Sequence, residues 1–452
     1  MRESAYKRYL LAVLLAILAF NYVDRLALGL MLQDLKADMH LSDTQLGLLT
    51  GFGFAVFYSF MGIPIARWAD RGNRITIIAL STGIWCAMVA LCGAAKSFTQ
   101  LLLVRIGVAI GEAGAVPPAH SLIADHFTRA ERPRAVAIYM LGGSFSTIIG
   151  YFGAGWLNEL LGWRATFIII GLPGLALAAL AKLTLREPRL ATAATADPRR
   201  HPVQQPALKE VCARLWGMRS FRHLLFAFCV LFFLNYGSSQ WVPAFFIRSH
   251  GLQTGELGNW LTLIYGSSGL IGTYYGGALA TRYAAGNERL QLRVLAMLLA
   301  SLAFLRPAIY LIPSARWTLA LMWPTTLAMY LGSGPLFAVV QTLVSDRMRA
   351  MAIATIYLFA NLLGMGLGPL TVGVLSDLFR EWVGTESLRY GLLALCPGYL
   401  WVSYHLLRAS RTVMEDLQGP EGSQHRFCDA AYAAEGPQCS GTLRLRKSQI
   451  EN

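Results

Sequence analysis

Residues 101–127 read LLLVRIGVAIGEAGAVPPAHSLIADHF. The run is apolar and long enough to cross a bilayer, yet it carries Arg105 and Glu112. An ionisable side chain at that depth costs about 2.5–3.5 kcal/mol on insertion scales and is kept where it has a use. Seven residues make nearly two helical turns, so both side chains leave one helix face, roughly 10 Å apart along the axis. They face one interior.

The rest of the chain has the same character. Of 452 residues, 55% are hydrophobic and only 14% charged, far from the make-up of a soluble domain. Apolar runs of about twenty residues, the length that spans a bilayer core, recur from end to end between short loops. Twelve can be read. The first, 9–31, starts basic like a secretory signal but runs on through Asn21, Tyr22, Asp24 and Arg25 without a cleavage site, so it is a membrane helix. Five more follow at 44–69, 74–94, 101–127, 134–157 and 166–185. A polar, basic, proline-containing linker then intervenes, within which 206–218 suits an interfacial amphipathic helix. Six further runs lie near 222–247, 256–281, 291–313, 317–344, 350–375 and 388–407. The expected organisation is therefore an N-terminal six-helix bundle (1–185), a linker (186–221), a C-terminal bundle (222–410) and a polar tail (411–452).

The formal charge of +14 invites a nucleic-acid reading, but the cations sit in alternate loops. Arg2, Lys7 and Arg8, then Arg67, Arg71 and Arg74, then Arg129, Arg132 and Arg134 mark one membrane face, and the linker continues the pattern. Positive charge retained on the cytoplasmic side explains this, placing both termini in the cytoplasm and requiring no nucleic acid. The seven cysteines have neither metal-ligand spacing nor a paired extracellular framework and read as packing residues. No metal or cofactor is called for.

The two halves repeat. With a shift of 218, Gly114 meets Gly332, Pro117 meets Pro335, Tyr139 meets Tyr357, Gly150 meets Gly368 and Gly155 meets Gly373 without a gap. Asn21-Tyr22 likewise falls on Asn235-Tyr236, and Gly47 on Gly258. An even number of spans separates the copies, which makes a parallel repeat about an axis along the membrane normal, with a binding site between the halves. The same registers set Arg105 opposite Trp323, Glu112 opposite Tyr330, and Asp24 and Arg25 opposite Ser238 and Ser239. One wall is ionisable and the other aromatic or neutral, which suits an amphipathic solute. Asp24 and Arg105 come out at one depth and are expected to pair. Glu112, far from any loop or other charge, lies where burial favours a bound proton. Arg306, near the end of the ninth span, is expected to snorkel to the interface.

Gly62, Asp70, Arg71 and Arg74 form the glycine and D-R-x-x-R loop between the second and third spans, and with twelve spans and a parallel repeat the chain resembles the major facilitator superfamily. Asn73 departs from the usual residue in that motif, and the second copy has Thr281 in place of the acid. The resemblance implies that these four residues act as a cytoplasmic gate. N-Y-V-D-R at 21–25 and R-I-G-V-A-I-G-E-A-G at 105–114 are similar to the spinster-like branch, which is associated with lysophospholipids and sphingoid lipids. It implies proton coupling through Asp24, Arg105 and Glu112. The substrate cavity is expected to draw on Asn21, Tyr22, Arg25, Tyr139, Asn235, Tyr236, Trp323, Tyr330, Tyr357 and Asn361. The expected protein is a monomeric, proton-coupled transporter in a bacterial inner membrane. Its alternatives are a drug exporter or a small organic anion transporter. An intramembrane enzyme would need a nucleophile with a facing base, and His120 and Ser121 are merely adjacent.

Overall fold

A computed structural model describes residues 3–128, 131–188, 208–344 and 346–418, and within them the chain is helical with no strand. Nine helical stretches are long and apolar enough to cross a membrane. Two of these are double. Arg134–Thr184 turns over at Gly162, whose φ of 79° an L side chain rarely adopts, and Met351–Leu417 turns at Gly384–Glu386. The helix Thr254–Ala284 supplies the remaining span, its hydropathy diluted by glycine, serine and tyrosine. Twelve spans result, in two six-helix bundles. The last helix, Gly398–Gln418, runs on past Arg411. A short helix, Leu208–Gly217, precedes the seventh span, Arg219–His250.

Local chemistry sets several boundaries. Ser42 opens the second span with a capping box: its hydroxyl accepts from the Gln45 backbone N–H at 3.1 Å, and the Gln45 side chain accepts from Ser42 N–H at 2.9 Å. Asn73 and Ser97 cap the third and fourth spans. Gly251, in the left-handed region at φ 69°, closes the seventh.

The face bearing the N-terminus and the helix Leu208–Gly217 is called the linker side below, its opposite the far side. On the far half the bundles cross at glycines. A side chain on Gly47 would meet the Pro369 carbonyl and Leu370, and one on Gly373 the Asp43 carbonyl, so the second and eleventh spans touch backbone to backbone. In the other half of the molecule Gly258 lies against the Tyr151 carbonyl, and Gly155 against Gly258 and the Thr254 carbonyl, joining the eighth span to the fifth. The register that sets Gly47 on Gly258 also sets Asp43 on Thr254, and Gly155 on Gly373 is the other repeat pair. The two crossings exchange under the repeat. This is the parallel pseudo-two-fold seen in backbone contacts.

Candidate functional site

Asp24, Arg105 and Glu112 lie in the core of the N-terminal bundle, each 1% exposed or less. Arg105 donates from Nη1 to Asp24 Oδ2 at 2.5 Å, the expected pair. Glu112 is not alone. Arg25, beside Asp24 in sequence, swings the other way round the first span and donates from Nε to Glu112 Oε2 at 2.9 Å, with Nη2 on the same oxygen. Adjacent helical residues diverge by about 100°, and the length of the arginine spans the offset. The outcome corrects the picture of an acid remote from charge. Asp24 also lies within interaction range of Glu112. Two carboxylates thus lie side by side, each held by its own guanidinium.

An aromatic floor supports them. The Phe54 ring centre is 4.4 Å from the Arg25 guanidinium carbon and 5.3 Å from that of Arg105, and Tyr22 and Tyr58 flank Arg25 at 5.2 and 5.0 Å. Several buried polar atoms in this cluster have no hydrogen-bond partner among the described residues: Asp24 Oδ1, Glu112 Oε1, Arg105 Nε and both polar side-chain atoms of Asn21, one turn before Asp24. Such a concentration is unusual in a merely structural core. Arg25 reaches the opposite bundle, its Nη1 lying 3.7 Å from Met365 Sδ. A small cavity between the bundles is lined by Arg25, Thr50, Phe54 and Arg105 on one side and by Tyr236, Gln240 and Met365 on the other.

The C-terminal wall is aromatic. Tyr357 stacks on Phe337 at 5.4 Å and meets Phe232 edge-on at 6.1 Å; Phe232 continues to Tyr236 at 6.0 Å, and Phe337 to Phe228 at 4.8 Å. The phenylalanines were not among the residues expected from sequence, since an apolar ring in an apolar helix carries no signal of its own. Asn235 is exposed, Asn361 half-buried in a short π-helical stretch, and Tyr22 and Tyr357 are 37% and 41% exposed. Tyr330 packs on Gly269 and Gly272 of the eighth span, close to Tyr236.

Other expected residues sit elsewhere. Tyr139 is buried against the edge of His120. Trp323 donates its indole N–H to Ser267 at 2.8 Å and so is tied to the eighth span. Arg74 is wholly buried within its own bundle. It binds Glu187 through its backbone N–H at 2.7 Å and through its guanidinium, and reaches Asp125 at 2.7 Å and Ser121 at 2.8 Å. This fastens the third span to the fourth and to the end of the sixth. A side chain on Gly62 would meet nothing within 4 Å, and the side chains of Asp70 and Arg71 lie outside the described residues. Arg306 does not snorkel. It turns inward, donating to Ser238 Oγ at 3.1 Å beneath the Tyr399 ring at 5.3 Å.

Sequence reasoning also missed the far-side closure. Asp377 accepts from the backbone N–H groups of Asp43 (3.1 Å) and Thr44 (2.7 Å), at the start of the second span. Under the repeat its counterpart is Glu159, which accepts from Gly255 N–H at 2.7 Å, at the start of the eighth. Each bundle therefore sets a carboxylate on a helix N-terminus of the other, where the dipole favours it. Asn158 beside Thr254 (3.3 Å) and Ser376 beside Asp43 (2.6 Å) extend the correspondence. One clasp is reinforced: Asp43 also takes both Nη atoms of Arg248, from the opposite bundle, at 2.7 Å, and is oriented within its own bundle by Lys36 at 2.5 Å.

Two six-helix bundles clasped at one face around a buried charge network have the architecture of a membrane transporter. Residues 14–383 match the Major Facilitator Superfamily, and the chain belongs to that family. It is 32% identical over 390 residues to an MFS-type efflux pump of Mycolicibacterium smegmatis, covering 85% of this chain and 87% of that one. It is also 26% identical over 412 residues to protein spinster homolog 1 of Xenopus tropicalis (84% and 76%). The crystal structure of a bacterial homolog of the human lysosomal transporter Spinster, inward-facing and unoccupied, superposes with TM-score 0.79 at 28% identity, covering 92% of this chain and 99% of that one. The protein is a spinster-like integral membrane transporter of this superfamily.

Proposed function

We propose that the protein is a proton-coupled secondary active transporter that moves an amphipathic, lipid-like solute by alternating access. The observation that carries this reading is the double role of Arg25, which holds Glu112 and at the same time touches the opposite bundle at Met365. A proton on Glu112 cancels the charge that holds Arg25. Breaking a buried pair from one side costs about 3–5 kcal/mol unless the freed charge finds another partner. The acidic head of a solute in the inter-bundle cavity is such a partner, and the loss of Arg25 from Glu112 alters the contact between the bundles. Protonation and solute binding are then linked through one guanidinium. The Asp24–Arg105 pair holds the first and fourth spans together. The aromatic row from Phe228 to Tyr357, with Tyr22, Asn235, Tyr330 and Asn361 nearby, offers the apolar body of the solute a wall.

In this reading the linker side is cytoplasmic, the membrane is a bacterial inner membrane, the protein acts as a monomer, and the clasped far side makes this the inward-facing state. The likeness to an inward-facing Spinster homolog supports that assignment. The Gly62-to-Arg74 loop serves as the cytoplasmic gate through Asp70 and Arg71, with Arg74 anchoring it from below.

The test is uptake of a lysophospholipid and a sphingoid base into proteoliposomes under an imposed pH gradient. Glu112→Gln, which keeps the shape of the acid, is expected to abolish gradient dependence while the protein still folds, with a midpoint lowered by the loss of one partner of a buried pair. Wild-type uptake indifferent to the gradient would remove proton coupling. A second reading, export of drugs or transport of small organic anions, is favoured by the likeness to the mycobacterial efflux pump and to a probable L-galactonate transporter of Escherichia coli, 23% identical over 391 residues. Under it, hydrophilic acids or hydrophobic cations would be moved and lysolipids would not.

A further inference from the structure

At the linker end of the C-terminal bundle lies a cavity of about 530 Å³, away from the inter-bundle site. Arg219 and Arg222, from the first turn of the seventh span, meet Arg408 and Arg411 from the last helix around it. Trp216, at the end of the helix Leu208–Gly217, and Phe226 form its rim and are 54% and 44% exposed. His223 also lines it, and its Nδ1 shares a hydrogen bond of 2.9 Å with Nδ1 of His405 behind it.

Arginines at span ends need no special account, because topology alone retains them. Convergence does. Like charges brought around one cavity repel, and none of these four has a carboxylate within ion-pairing distance among the described residues. Asp416, on the same last helix, is occupied in accepting from Ser220 N–H at 2.7 Å. Guanidiniums match the oxygens of a phosphate in pairs, and exposed Trp and Phe belong at the headgroup level of a bilayer.

We infer that this cavity is a binding site for a phosphate oxyanion, presented by the headgroup of an anionic phospholipid or by a free phosphate, distinct from the transport site. Bound there, the phosphate group ties the start of the seventh span and the end of the last helix to the helix Leu208–Gly217. The inference does not depend on what the protein carries.

The experiment follows thermal unfolding of the purified full-length protein while short-chain phosphatidylglycerol, phosphatidylcholine of equal chain length, or inorganic phosphate is added. Phosphatidylglycerol is expected to raise the midpoint saturably and phosphatidylcholine not to. A rise with inorganic phosphate alone makes the source soluble; a rise with the lipid alone makes it the membrane. The double variant Arg222→Gln/Arg408→Gln should weaken the apparent affinity by about fivefold for each arginine removed. Arg293→Gln, an exposed arginine at the start of the ninth span, should leave it unchanged. Equal response to the two lipids, no response to any of the three additives, or an equal loss in Arg293→Gln overturns the site. Should the double variant fail to fold, Arg408→Gln alone decides, with about a fivefold weakening expected and an unchanged affinity overturning the site.

Discussion

The far side and the middle of this transporter are built on opposite plans. At the far side the halves are nearly interchangeable: Asp377 on the N-terminus of the second span answers to Glu159 on that of the eighth, and the glycine crossings exchange in the same way. In the middle they are not. The N-terminal bundle buries two acids with two arginines, while the C-terminal bundle buries Arg306 with a serine and a tyrosine ring for company and has tryptophan, tyrosine and serine where its twin has charge. A gate has to release both bundles together, and equal clasps do that. In the proposed mechanism the site has to distinguish one end of a solute from the other and a bound proton from none, which requires unequal walls. Symmetry survives where the halves move and is lost where they recognise.

The largest effect expected from breaking this contrast is at Arg105. Arg105→Gln leaves Asp24, 1% exposed, as a charge without its partner, which costs about 3–5 kcal/mol of stability. Thermal unfolding in detergent should register it as a strong downward shift, whereas Arg306→Gln, which removes a charge with no carboxylate partner among the described residues, should shift the midpoint far less. Equal shifts would mean that the pairing is not what separates the bundles. Next come the clasps. Asp377→Asn and Glu159→Gln each weaken charge-assisted hydrogen bonds worth about 1.5–3 kcal/mol, tilting the population toward opening on the far side. Spectroscopic distances between far-side ends of the second and eleventh spans, and of the fifth and eighth, should lengthen in both variants. The loss should be smaller for Asp377→Asn, because Arg248 and Ser376 of the opposite bundle still hold Asp43. A larger opening there would show that the reinforcement is not part of the gate.

A smaller effect separates two residues that the repeat makes look alike. Trp323 is held by Ser267, while Tyr330 stands near Tyr236 at the inter-bundle cavity. Tyr330→Ala should weaken binding of long-chain solutes more than of short ones. Trp323→Ala should weaken both alike by loosening the eighth span, and reversed chain-length profiles would exchange their places.

The spans, the repeat and the Asp24–Arg105 pair were legible because each follows from one-dimensional quantities: hydropathy over a fixed length, glycine and proline in register, and depth counted at a constant rise. Contacts that depend on azimuth were not. Whether Arg25 faces Glu112 or the cavity turns on helix rotation, which sequence spacing along a single span does not set. Arg74 was read as a gate from its motif, but its partner Glu187 stands 113 positions away, beyond three further spans. The clasps were invisible because their donors are backbone N–H groups, which every residue but proline possesses. Arg306 was misplaced because its distance from the span end was counted and its direction was not.

The smallest expected effect is at Gly62, and it bears on the linker side as the clasps bear on the far side. Glycines at the far-side crossings are required by space, for at Gly47, Gly258 and Gly373 a side chain would run into backbone of the other bundle. Gly62 has no such neighbour, and it lies within the helix Gly53–Arg71. In the state described here, alanine there fills open space and removes backbone freedom from the unfolded chain, a gain of about 0.5–1 kcal/mol by helix propensity. Gly62→Ala is therefore expected to unfold at the same temperature or slightly higher. Transport separates two reasons for a glycine. If uptake is unchanged, nothing crosses Gly62 at any stage of the cycle, and its place in the motif is incidental to gating. If uptake falls while the protein is no less stable, Gly62 meets the opposite bundle in the alternate state, and the linker side closes as the far side does, backbone against backbone.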